Sequence, residues 1–261
     1  MIKPNFDLLG NIALVKFPRE TKEKDKKKFS EKLLRENKSV RTILEKTGKF
    51  KGRLRKQKTK FLLGEKTKEV LYRENGCVFR FNIDSTYFSP RLSNERKEIA
   101  KKIKKDDEVL VMFSGVAPFS IAIAKISKAK KIISVEINRE ANKYAKKNVE
   151  MNKMKDRIEI IQGDIKKIAG KFAKEKKKFS AIVMPRPQLK ESFLKEAFML
   201  SKKGTKIFYY DFCLISDEEK ITEKIRTEAK RAKKKIKILK IQHAGEVGNR
   251  KVRLRVDFVV V

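Results

Sequence analysis

The sequence predicts an α/β protein in two parts: a small β-rich, basic domain over residues 1–85, and a larger domain over 86–261 built on a seven-stranded, mostly parallel sheet. Three observations predict it. Past Pro90, short apolar runs alternate with helix-length amphipathic stretches. Before Pro90, strand patterns and hairpin turns surround one polar, basic stretch. The 261 residues are 40% apolar, enough for a sizeable core, although Lys and Arg number 69 against 33 Asp and Glu, a formal charge of +36.

The elements follow in order. Asn11–Phe17 is a strand pattern after Gly10, closed by Pro18. From Arg19 to Lys60 there are 18 Lys or Arg against 6 Asp or Glu, interrupted by Phe29, Leu33 and Leu34 at surface-helix spacing. That stretch either faces a polyanion or is simply solvated. Strands resume at Thr59–Gly64 and Glu69–Arg73, and Glu74-Asn75-Gly76 turns the second into Cys77–Ile83. Asn94–Lys105 reads as a helix, Glu108–Phe113 as a buried strand, Pro118–Lys128 as a helix and Lys131–Glu136 as a strand. Arg139–Asn152 is a helix, and strands follow at Arg157–Ile161, Phe179–Met184 and Lys206–Tyr210, separated by helical or basic segments. Ile236–Gln242 and Val252–Val261, joined by a turn at Gly245–Arg250, make an antiparallel finish.

Composition narrows the function. A surplus of 36 positive charges on a compact particle implies a polyanionic partner, with nucleic acid first, while the Lys/Glu-rich surface also resembles heat-adapted proteins. No apolar run reaches membrane-span length and the N-terminus lacks a signal core, so a cytoplasmic location with no membrane partner is expected. Two distant cysteines, Cys77 and Cys213, and a single histidine, His243, cannot assemble a zinc site or Cys-His chemistry. No metal is expected.

The chemistry gathers at strand ends. Phe113-Ser114-Gly115-Val116-Ala117-Pro118-Phe119-Ser120 lies between a strand and a helix, where a small residue lets a ligand approach the backbone. The next strand ends in Glu136-Ile137-Asn138, placing a carboxylate about 20 residues on to hold ribose hydroxyls. The third ends in Gly163-Asp164, where the aspartate can accept from an adenine amine. Either acid alone would read first as a helix cap or surface group; the three ends together form the pocket order of a class I (Rossmann-like) methyltransferase, which binds S-adenosylmethionine. Met184-Pro185-Arg186-Pro187 closes the fourth strand. Since Pro185 has no side-chain acceptor, a ring nitrogen or ring carbon is the expected attacking atom, with a purely structural turn left open.

Tyr87–Arg96, followed by Met112–Ser120, Glu136-Ile137-Asn138, the Met-Pro-x-Pro turn and Tyr210-Asp211-Phe212, resembles the archaeal and eukaryotic tRNA guanosine-37 N1-methyltransferase family from about Phe6 onward. The resemblance implies that Glu95 takes the N1 proton of the target guanine and that Arg55 steadies its O6, with Arg53 as the other register. Tyr87, Pro185 and Pro187 complete the catalytic set, and Arg96 and Arg186 join Arg53 in contacting RNA. Phe113, Gly115, Ala117, Phe119, Glu136, Ile137, Asn138, Gly163, Asp164 and Met184 hold the cofactor. Guanine N1 is protonated at neutral pH, so a base is required, and a desolvated carboxylate with its pKa raised is the expected one. A direct pair with Arg96 would oppose that rise.

Three residues depart from the pattern: Val111 stands where many methyltransferases have Asp, Ala117 replaces glycine, and Pro185 replaces the usual Asn. Proline at 185 resembles the archaeal branch that also methylates C7 of the imidazopurine wybutosine precursor. The expected partner is the anticodon stem-loop of tRNA, bound by a monomer. No extra N-terminal domain is expected ahead of the β-rich region, so the basic stretch to Lys60 would compensate through phosphate contacts. Two other readings stay open: an aminocarboxypropyl transferase of the wybutosine pathway, and a non-catalytic RNA-binding protein with a degenerate pocket.

Overall fold

The computed structural model describes residues 4–48, 52, 54–248 and 250–261. They form two compact units, up to Pro90 and from Arg91 onward.

In the first unit, β1 (Asn5–Leu9) and β2 (Ile12–Lys16) form an antiparallel hairpin, and α1 (Glu23–Glu36) crosses over to β3 (Thr42–Lys46), which lies parallel to β2. β4 (Thr59–Gly64) completes a four-stranded sheet in the order β1-β2-β3-β4. The helix at Phe29, Leu33 and Leu34 was legible from its spacing, and Phe29 meets Phe17 edge-on at 5.7 Å. The 19–60 stretch also hides β3, where Thr42, Ile43 and Leu44 are buried in the midst of the basic residues. β5 (Glu69–Glu74) and β6 (Cys77–Asn82) form the second hairpin. Asn75 and Gly76 both have left-handed φ values, 49° and 70°, which suit the twist of a two-residue turn.

Gly10 is fixed by more than its φ of +57°. A Cβ there would lie 1.9 Å from the carbonyl oxygen of Leu71. Gly10→Ala should therefore cost about 2–4 kcal/mol, from left-handed strain plus overpacking. A thermal melt would show it, and an unchanged melting temperature would mean that this close approach is absent in solution.

The second unit opens with α2 (Ser93–Lys102) and then alternates: β7 (Glu108–Met112), α3 (Pro118–Ile126), β8 (Lys131–Glu136), α4 (Arg139–Met151), β9 (Ile158–Gln162), α5 (Ile165–Lys174), β10 (Phe179–Met184), α6 (Leu194–Met199), β11 (Ser201–Leu214), α7 (Glu218–Arg231), β12 (Ile236–Gly248) and β13 (Lys251–Val260). The seven strands lie in the order β12-β13-β11-β10-β7-β8-β9, the last five parallel and β12 and β13 antiparallel. Leu110 and Met112 join a core with Ile165, Phe172, Leu194, Phe198, Ile221 and Ile225 from α5, α6 and α7. Val109 and Val111, pointing the other way, are equally buried, so both faces of β7 are covered. Chain order reverses between β7 and β10, and such a switch point opens a crevice at the strand ends. No described helix is long and apolar enough to cross a membrane.

Candidate active site

At the end of β7 the chain enters three left-handed conformations within five residues: Phe113 (62°), Gly115 (57°) and Ala117 (67°). Two of these are non-glycine, and such strain persists only where the surroundings fix it. Here they do. The Ser114 N–H donates to Val135 O at 3.0 Å, and Asn148 Nδ2 donates to Val116 O at 3.1 Å. Pro118 then takes a first-turn position of α3, where its missing N–H is harmless.

Glu136, at the tip of β8, binds this loop to the next. Its Oε2 accepts the Gly115 N–H at 2.8 Å and its Oε1 accepts the Asn138 N–H at 2.7 Å. Both carboxylate oxygens are thereby fixed at the strand tip. Asn138 turns its side-chain oxygen back to cap α4, accepting from Glu140 and Ala141, and Asp164 caps α5 through Lys166 N–H. For Asp164 the capping alternative is realised. Gly163 precedes Asp164 with a φ of +158°. Ile137 is half-buried beside Glu136. The Oγ of Ser114 is buried and makes no hydrogen bond, an unsatisfied polar group inside the same loop. Acceptor oxygens at one strand tip, an unsatisfied hydroxyl and a glycine-bearing turn fit the sugar and base of a nucleoside cofactor. Val111, buried on β7, offers it nothing polar.

The Met184–Pro187 turn differs from expectation in two residues. Met184 is fully buried in the core below the sheet rather than facing a ligand. Arg186 was expected to touch RNA, but it is buried, ion-pairs with Asp211, and donates to the carbonyls of Leu189 and Glu191. Its guanidinium staples the 185–193 loop. Asp211 also accepts from Tyr209 Oη at 2.8 Å and Lys224 Nζ at 2.9 Å. Burial, then the Asp211 charge, pushes the Tyr209 hydroxyl well above its ordinary value, so it remains a donor. Pro185 is the central residue of a three-residue turn closed by Arg186 N–H to Met184 O at 2.7 Å, and Pro187 follows it half-buried.

Glu95, in the first turn of α2, is 8% exposed. Its Oε2 accepts from Tyr210 Oη at 2.8 Å and from Arg255 at 2.7 Å, and its Oε1 accepts from Gln242 Nε2 at 2.7 Å. The adjacent guanidinium is Arg255, not Arg96, and the surroundings are polar rather than apolar. Arg96 is buried, 5.8 Å from the Phe119 ring, and Phe119 meets Tyr210 edge-on. Arg255 is fully buried and also binds Asp257 at 2.7 Å and Glu98 at 2.8 Å. The hydrogen bond from Arg255, followed by those from Gln242 and Lys102, holds the Glu98 carboxyl well below the usual carboxylate range. Desolvation opposes the charge on Arg255, but Glu98, Tyr210 and Asp257 outweigh it and keep the guanidinium protonated. Burial, then the Glu95 charge, pushes the Tyr210 hydroxyl far up, so it too remains a donor.

Gln242, Arg255 and Glu98 went unnoticed in the sequence. Their signal was the pair Arg255 and Asp257 inside the otherwise apolar run from Leu254 to Val261, because charges within a buried strand must be paired.

Within the first unit, the Arg55 guanidinium sits 5.0 Å from the Tyr87 ring centroid, and Arg55 has a left-handed φ of 54°. Arg53 lies outside the described residues.

The model of the TRM5/TYW2 methyltransferase domain matches residues 70–241, and that of the TYW2 N-terminal domain matches residues 1–67. A Nanoarchaeum equitans protein named tRNA (guanine(37)-N(1))/4-demethylwyosine(37)-methyltransferase Taw22 is 30% identical, covering 98% of this chain and 100% of that protein. The fold matches aTrm5 in its complex with tRNALeu at a TM-score of 0.86 and 29% identity, over 100% of this chain and 73% of the other. Trm5 from Methanocaldococcus jannaschii, in complex with adenosine, matches at a TM-score of 0.81 and 28% identity, over 99% of this chain and 74% of that one.

Proposed function

The chain belongs to the TRM5/TYW2 methyltransferase family, and from that premise we propose that it methylates N1 of guanosine 37 in tRNA, using S-adenosylmethionine, and C7 of 4-demethylwyosine at the same position. The observation that carries this reading is the three-donor hold on Glu95 at the start of α2.

S-adenosylmethionine supplies an electrophilic methyl group on a sulfonium. Glu136 would accept the ribose hydroxyls, Gly115 and Ala117 would keep the loop backbone close to the donor, and Gly163-Asp164 would bound the base. Three of the roughly four acceptor directions of Glu95 are filled, which leaves one for the N1–H of guanine. Glu95 takes that proton as N1 attacks. Because Tyr210, Gln242 and Arg255 only donate to it, the carboxylate is presented in one orientation. tRNA enters through its anticodon stem-loop, with the target guanine extruded from the stack. The protein acts as a monomer in the cytoplasm.

The match of residues 1–67 to a TYW2 N-terminal domain keeps aminocarboxypropyl transfer as the second reading. Mass spectrometry of nucleosides from unmodified and 4-demethylwyosine-bearing tRNA, after incubation with labelled donor, decides between them. A gain of one methyl on each substrate is expected. An aminocarboxypropyl gain would replace the proposal with the second reading.

Glu136→Ala should weaken binding of S-adenosylhomocysteine by about 1–3 kcal/mol, the cost of charged hydrogen bonds left unmade, as read by calorimetry. Unchanged affinity would remove Glu136 from the cofactor site.

A further inference from the structure

In the second unit the segments at the two ends of the sheet differ in charge. Six segments lie at the end away from the strand tips: the lead-ins 103–107, 127–130, 152–157, 175–178 and 232–235, and the first residues of β11, 201–205. Together they hold 15 Lys or Arg against 4 Asp or Glu. The described residues of the segments leaving the tips, 113–117, 137–138, 163–164, 185–193, 215–217 and 250, hold 3 against 3. One tip cation, Arg186, is buried on Asp211, and one entry cation, Arg157, donates to main-chain carbonyls.

We propose that this strand-entry end is a docking surface for the phosphate backbone of a second RNA, separate from the RNA whose base is modified. Fold and heat adaptation do not account for it. Concentrated like charge repels itself and weakens the compact state, whereas heat-adapted surfaces interleave both signs in ion-pair networks, and here cations outnumber acids by nearly four to one. Strands of five or six residues span about 17–20 Å, so the two ends of the sheet face opposite ways. A guanine delivered to the tips leaves the entry end pointing away from it. A groove of about 600 Å³ crosses this end, with Lys178, Lys195, Arg231 and Lys234 around Phe198 and Met199, and only Glu228 opposing them. Spaced cations along a concave track suit the regular phosphates of an RNA backbone. The choice of RNA as the polyanion rests on the proposed activity; the charge distribution does not.

The test titrates a labelled RNA duplex of about 20 base pairs into protein saturated with unmodified tRNA transcript. The same titration is repeated with K130E, K176E, K203E and K235E combined, and tRNA methylation is measured in parallel. A ternary complex is expected. The fourfold variant should bind the duplex at least about 30-fold more weakly, with a log–log salt slope shallower by about 3. Its kcat/KM for tRNA should stay within about twofold of the parent, and the corresponding glutamine substitutions should give a smaller loss in the same direction. One-for-one displacement of the duplex by tRNA would overturn the proposal, as would unchanged duplex affinity, equal affinity for a DNA duplex, or a fall in tRNA kcat/KM in step with duplex binding. Absence of methyl transfer by the parent protein, with the ternary complex intact, would instead count against the proposed activity alone.

Discussion

Glu95→Gln is expected to lower methyl transfer to guanosine 37 by about a thousandfold, within the range for a lost general base. The donor's dissociation constant should stay within about twofold, because the residues proposed to hold the donor lie at strand ends and Glu95 lies on α2. The substitution also tests the network around it. An amide has one acceptor oxygen and one NH2, while Gln242 on one side and Tyr210 with Arg255 on the other all donate. One donor must then meet the NH2, which costs about 1–3 kcal/mol. Single-turnover rates and melting curves therefore have to be read together. A thousandfold loss with a fold that is intact at the assay temperature supports the base assignment. Activity within tenfold of the parent would remove Glu95 from the chemistry.

Arg255→Met is expected to have the largest effect on stability, about 3–5 kcal/mol at pH 7, because it leaves buried carboxylates without their shared cation. Glu95, Glu98 and Asp257 all converge on this guanidinium. The pH dependence gives the sign. Glu98 titrates below its ordinary value of 4.5 in the folded protein, so its contribution is fully present above about pH 4.5 and is lost as pH falls through its folded value. Without Arg255 the largest part of that contribution is gone, Gln242 and Lys102 keeping the rest, and protonation relieves the repulsion among the three acids. The stability gap between parent and variant should therefore narrow as pH falls from 6 towards 3. Urea unfolding at several pH values measures it, and a constant gap would mean that packing, not charge, dominates at this position.

The parallel half of the sheet was legible because strands buried on both faces read as continuous apolar runs, as at Val109–Met112 and Ile132–Val135. β1 was not: Asn5–Leu9 is exposed except at Leu9, so no alternation marks it. β3 is only five residues long and sits in a run of lysines. β11 begins at Ser201, but Lys202, Lys203 and Gly204 disguise its first turn of pairing. At the site, the loops near one another in sequence were readable: the Phe113–Ala117 turn and the Glu136–Asn138 tip meet through a hydrogen bond spanning 21 positions. The partners of Glu95 lie 115, 147 and 160 positions away, and no local pattern encodes such a meeting. Arg186 was misjudged for a related reason, since only Asp211, on a different strand, reveals that its charge is satisfied inside the fold.

That separation along the chain has a consequence for biosynthesis. The β7–β10 half of the second unit is translated well before the hairpin that delivers Gln242 and Arg255. A nascent or prematurely terminated product ending near residue 235 would carry the β7–β10 strand ends yet leave Glu95 unheld and lack the core side chains Val252, Leu254, Val256, Phe258 and Val260, so maturation becomes a matter of the final few dozen residues arriving.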